Sequence, residues 1–169
     1  MATVKVREKY RGLSRQQLLD KAYELGVKCD QNSQSCSQCT AATLHELLGF
    51  DDVIVKAASS SCGGQAGQAV GTCGALIGGT IVLDYFFGRP VEDISYTDIV
   101  KPPWEAMEVA KVLYDRYIRE YGTIICPHIQ AQLFNATIIF QIQRIWKSLK
   151  KQEATKINVL TLLEMQRGG

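Results

Sequence analysis

Apolar residues recur at helical spacing along most of the chain, and strand-like alternation is scarce. Leu18, Leu19, Ala22 and Leu25 fall on one helical face. Ser14 precedes them and Gln17 follows three positions later, a capping-box pattern, while Gly26 reads as a stop. A first helix is therefore expected over 14–25, followed by a polar loop at 28–36 that carries Cys29. A second pattern, 40–48, ends at Gly49 and places Cys36 and Cys39 at a helix N-terminus. Asp51 and Asp52 can start a short third helix through Ala58, because their oxygens satisfy free amides and their charge suits its positive end.

The chain is small and flexible from Gly63 to Gly71, and an apolar helix is expected from Thr72 to about Gly88, where Gly74, Ala75 and Gly78 permit close backbone approach. Pro102 and Pro103 suit the first turn of a long helix whose stripe is Ala106, Val109, Ala110, Leu113 and Tyr117, with Gly122 as its stop. Cys126 follows directly. The remainder, through 138–146 and the Leu-rich end, is again compatible with helices. The pattern predicts an all-α single-domain helical bundle over 1–169, with a glycine- and cysteine-rich loop region.

Composition narrows the function classes. With 169 residues and 46% hydrophobic content the chain can bury one core. Nineteen Lys plus Arg against seventeen Asp plus Glu leave a net charge of +2, too balanced for nucleic acid to be the main partner. The first ten residues carry scattered charges and no apolar signal-like stretch, so a cytoplasmic location is expected. The apolar segment 73–87 falls short of the ~20 residues that span a bilayer, and a buried core helix is expected there.

The six cysteines, 29, 36, 39, 62, 73 and 126, change the picture most. In a reducing compartment structural disulfides rarely persist, so metal binding or thiol chemistry leads, against the plainer reading of small buried hydrophobes. Cys36 and Cys39 form a C-x-x-C pair at a helix start, where free amides favour thiolate over thiol. The pair lacks the strand–helix alternation of a thioredoxin-like domain. The segment from Cys62 through Gly63, Gly64, Cys73 and Gly74 to Gly78 is neither a phosphate loop nor a dinucleotide fingerprint. Its glycines can instead aim backbone N–H groups at an anionic centre, or simply pack helices.

Cys73-Gly-Ala-Leu-Ile-Gly78 resembles the Cys-Gly-Ala-x-x-Gly motif of the redox-active family named for its cysteine pattern, C_GCAxxG_C_C. Gln38-Cys39 at the head of a helix and Tyr121-Gly-Thr-Ile-Ile-Cys126 after a long helix resemble its flanking motifs. The resemblance covers about 14–134, with 135–169 as a helical C-terminal extension. It implies a small helical protein in which Cys39, Cys73 and Cys126 are functional, and a related domain in split-Soret cytochromes carries an iron–sulfur centre. The family's fourth, downstream cysteine is missing here; Cys62, Cys36 or Cys29 could take its place, or the ligand is not a cysteine.

The leading expectation is thus a cytoplasmic iron–sulfur protein for electron transfer or substrate redox chemistry, its cluster held by Cys39, Cys73 and Cys126 and completed by Cys62 or Cys36. The alternatives are a thiol–disulfide oxidoreductase cycling Cys36 and Cys39, with Cys73 or Cys126 resolving, and a zinc or copper site. The expected partner is a redox protein or a small-molecule substrate, with a homodimer as a further expectation. His45 reads as solvated or capping. His128, two residues after Cys126, is the better candidate ligand or proton carrier, though a structural role is favoured. The basic residues Arg144, Lys147, Lys150, Lys151 and Lys156 read as a solvated face, and Trp104, Tyr114, Tyr117 and Tyr121 as core.

Overall fold

The computed structural model describes residues 4–135. Among them are six α-helices: α1 (Arg15–Ser33), α2 (Cys36–Leu48), α3 (Val53–Ala57), α4 (Gly74–Phe87), α5 (Trp104–Tyr121) and α6 (Cys126–Phe134). The described residues contain no strand, only an isolated antiparallel bridge between Thr72 and Ile125. The all-α architecture expected from the pattern is what the chain adopts. The late helical stretch, the basic residues from Arg144 on and the 135–169 extension, apart from Asn135, lie outside the described residues.

The helix boundaries follow local chemistry in most places. Ser14 Oγ accepts from Gln17 N–H while Gln17 Oε1 accepts from Ser14 N–H, so the capping box is complete. Asp51 Oδ1 accepts the Val53 N–H at the head of α3. Pro103 caps α5 and Gly122 ends it in the left-handed conformation, with its N–H on Ile118 O.

One boundary differs. Helix α1 does not stop at Gly26 but runs on to Ser33, so Cys29 is helical rather than in a loop. Gly26 is buried and lines the central pocket, where a missing side chain costs the helix only about 1 kcal/mol. The stop comes at Gln34, in the left-handed conformation at φ 54°. Two residues, Gln34 and Ser35, then turn the chain straight into α2, making a helical hairpin.

Helix α2 makes its largest contact with α4, α4 packs in turn on α5, and α1 covers α2. Leu44, Leu76, Val82, Leu83, Leu113 and Tyr117 are 1% exposed or less and form the centre of the core. Each apolar side chain buried this fully contributes about 2 kcal/mol. Trp104 departs from its expected core role: at the first position of α5, ahead of the first core residue Ala106, it is 57% exposed. No helix among the described residues is long and apolar enough to cross a membrane.

Candidate functional site

Four cysteines sit in the first turn of three different helices. Cys36 and Cys39 open α2, Cys73 caps α4 and Cys126 opens α6. All four are buried, while Cys29 and Cys62 are half-buried, and none is in a disulfide. The positive ends of these helices favour negative charge, as a thiolate or as an anionic centre.

Cys73 and Cys126 are 53 positions apart in sequence, and the Thr72–Ile125 bridge joins their segments. Cys73 N–H donates to Ile124 O and Cys126 N–H to Gly71 O, each at 2.8 Å. Each cysteine directly follows its bridge residue, so α4 and α6 start side by side. Cys126 Sγ accepts from the Gln130 Nε2 amide at 3.2 Å, and Gln130 is itself 1% exposed. Gln130 lies one turn beyond Cys126 on the same helical face, a spacing visible in the sequence but not used there.

Cys36 reaches the site through glycine. A Cβ added to Gly74 would lie 2.4 Å from Cys36 Sγ and 2.6 Å from Ser61 O, and one on Gly78 would lie 2.3 Å from Ser37 O. Gly78 lets α4 cross α2 at backbone distance, and Gly74 lets it lie against the Cys36 sulfur and the backbone of Ser61 and Cys62. Gly63 N–H donates to Cys36 Sγ at 3.5 Å. Gly63, Gly64, Gln65, Ala66 and Gly67 all have positive φ, so the chain makes a left-handed turn next to that sulfur. Within it Gly64 leaves no room for a side chain, since an added Cβ would be 2.9 Å from Cys126 Cβ. Cys62, at the start of the turn, lies beside Gly74, its Cα 3.0 Å from the position of an added Cβ.

Cys39 is 2% exposed and its thiol is in hydrogen-bonding contact with Cys29. The hairpin explains the contact, because the two residues lie at similar distances before and after the Gln34–Ser35 turn. The Cys39 thiol lowers the pKa of Cys29 to about 7, with Ser33 helping and burial opposing. The same contact, with burial, holds the proton on Cys39 far more tightly than on an ordinary thiol. The sequence pointed to thiolate character at both members of the C-x-x-C pair. Within the pair that faces across the hairpin, the lowered thiol is that of Cys29, a residue the sequence placed in a loop.

Cys36, Cys39 and Cys73 line one pocket. Tyr117, Tyr121, Ile129 and Phe134 make much of its wall apolar, and Gly26, Asp30 and Gln130 also line it. Tyr117 and Tyr121, expected as core, are both buried and pocket-lining. Cys126 adjoins the pocket through Gln130 and Cys62 adjoins Cys36, although neither lines it. His128 is exposed and does not line the pocket, and the ring of His45 packs edge-on to Phe50 at 5.3 Å.

The donor chemistry suits an iron–sulfur centre: several buried cysteines, amide donors on two of their sulfurs, and a largely apolar wall. Among the described residues, no three His, Cys, Asp or Glu side chains are grouped so as to hold a metal ion. The thiols therefore gather around a pocket without forming a ready cage. No curated protein and no solved structure matches the chain. A family model described as "Putative redox-active protein (C_GCAxxG_C_C)" matches residues 34–156, which takes in Cys36, Cys39, Cys62, Cys73 and Cys126, and the chain belongs to that family.

Proposed function

We propose that this redox-active protein works through an iron–sulfur centre at the cysteine-lined pocket, held by Cys39, Cys73 and Cys126 and completed by Cys62 or Cys36. The observation that carries the reading is the convergence of Cys36, Cys39 and Cys73, from two distant segments, on one pocket, with Cys126 bridged to Cys73. Bound there, the centre would supply one-electron transfer or redox chemistry on a small molecule.

The chain's own groups have definite parts in this. Gly63 N–H and the Gln130 amide donate to the sulfurs of Cys36 and Cys126, which stabilises negative charge on them. Gly74 lets the backbone of α4 lie against Cys36, and Gly64 does the same beside Cys126. Tyr117, Tyr121 and Ile129 keep much of the pocket wall apolar, which limits water near the sulfurs. The electron partner would be a redox protein or a small-molecule substrate that reaches the pocket mouth.

The test is iron and acid-labile sulfide content, with oxidised and reduced absorption spectra, on anaerobically purified protein. The expected result is brown protein with bound iron and sulfide and a spectrum that bleaches on reduction. Colourless protein without iron, or with stoichiometric zinc, would overturn the reading.

A further inference from the structure

The loop between α4 and α5 contains none of the cysteines and carries the densest apolar display on the described surface. Seven of the thirteen large hydrophobic side chains exposed among the described residues fall within 91–107, where an even scatter would place about two. Tyr96 is 97% exposed and Ile99 fully so. Single exposed apolar residues are ordinary, but a concentration of them marks an interaction surface. We propose that residues 136–169 of the same chain dock on this face. The proposal uses no ligand of the iron–sulfur centre and stands apart from that reading.

Three observations carry it. First, the loop is preformed. Arg89 Nη2 donates to the Lys101 carbonyl and closes its base, and Ser95 Oγ accepts from Thr97 N–H and Asp98 N–H. Pro90, Pro102 and Pro103 stiffen its two ends. The apolar side chains are thus held out ready, and covering them costs little further ordering.

Secondly, the charges are complementary. From 88 to 108, Arg89 and Lys101 stand against the exposed Glu92, Asp93, Asp98, Glu105 and Glu108, a net of −3. Residues 136–169 carry six Lys or Arg against two Glu, a net of +4 in a chain whose total is only +2. Among them Ile138, Ile142, Ile145 and Trp146 recur at helical spacing, so this segment offers the apolar and basic chemistry that the loop lacks.

Thirdly, the segment reaches. Along the 18 residues of α5, the four that follow and the 9 of α6, Asn135 lies within about 60 Å of Trp104, and the 34 residues beyond it span up to about 110 Å. A tethered segment meets the loop at an effective concentration of up to about 1 mM, far above that of a second copy in dilute solution.

The experiment uses the full chain, as a dilute equal mixture of unlabelled and 15N-labelled protein. It is treated with a water-soluble carbodiimide, which joins amines to carboxylates in contact, and mapped by mass spectrometry. Crosslinks should join Lys147, Lys150, Lys151 or Lys156 to the acidic residues of 92–108, with both peptides carrying the same label. Tyr96→Ser combined with Ile99→Ser alters only exposed side chains. It should weaken these crosslinks, and should speed tryptic cleavage between Arg144 and Lys156 about tenfold while cleavage at Lys21 and Lys28 keeps its rate. Crosslinks of mixed label would assign the face to a second copy and overturn the proposal. So would an absence of crosslinks to 92–108, or a double variant cleaved at the wild-type rate. Iron content enters none of these outcomes, so this proposal and the iron–sulfur reading fail separately.

Discussion

The α2–α4 crossing and the α1–α2 hairpin both deliver cysteines to the pocket, but by opposite means. At the crossing, glycine leaves no room for even a methyl group: Gly78 lies on the Ser37 carbonyl, and Gly74 on Cys36 Sγ and Ser61 O. At the hairpin, the sulfurs meet through side chains, with Cys29 half-buried near the end of a helix. A backbone seam fixes where its sulfurs sit. A side-chain contact leaves them able to change partners.

Breaking the seam should have the largest effect. Gly78→Ala sets a methyl group against the Ser37 carbonyl and should cost about 3 kcal/mol of stability, read as a lower urea midpoint. Gly74→Ala should cost less, about 2 kcal/mol, because the Cys36 side chain can rotate although Ser61 O cannot. It should also displace the Cys36 sulfur, seen as faster alkylation of that residue. If either substitution is neutral, the crossing is looser than described.

The hairpin is sharpened by pH. Cys29, lowered to about 7 by its contact with Cys39, should gain reactivity toward iodoacetamide as pH rises through about 7. An ordinary thiol does so near 8.5. Cys39→Ala should move the midpoint up toward that value and cut the thiolate fraction at neutral pH about tenfold. An unchanged midpoint would show that the contact does not set the acidity. The smallest effect belongs to the far end of α1. Ser14→Ala removes the capping box and should cost about 1 kcal/mol by chemical denaturation, while the Cys29 midpoint stays put.

The two regions also differed in how far the sequence disclosed them. The seam was legible, because a glycine at 74 and another at 78 recur one turn apart on an apolar helix, which already points to a close crossing. Caps were legible for the same reason: Ser14 with Gln17, and Gly122, act through atoms a few positions away. The hairpin was not, because Gly26 reads as a stop and only its burial against the pocket shows why α1 continues. Once that helix was cut short, Cys29 fell into a supposed loop and its contact with Cys39 was lost. The Thr72–Ile125 bridge, which brings the segments of Cys73 and Cys126 together, is two residues joined across half the chain, and no local pattern announces it. The family motif supplied Cys39, Cys73 and Cys126, but the Gln130 donor and the Cys29 partner emerged only from packing.

The central claim is that cysteines distant in sequence serve one redox centre. The most direct measurement is the visible absorption spectrum of anaerobically purified protein, oxidised and then reduced, across Cys29→Ser, Cys39→Ser, Cys73→Ser and Cys126→Ser, with circular dichroism confirming that each variant is folded. The account predicts that absorption is lost or altered in the last three and retained in Cys29→Ser. An absorbing wild type whose spectrum survives unchanged in all four variants, or a folded wild type with no visible absorption, would contradict it.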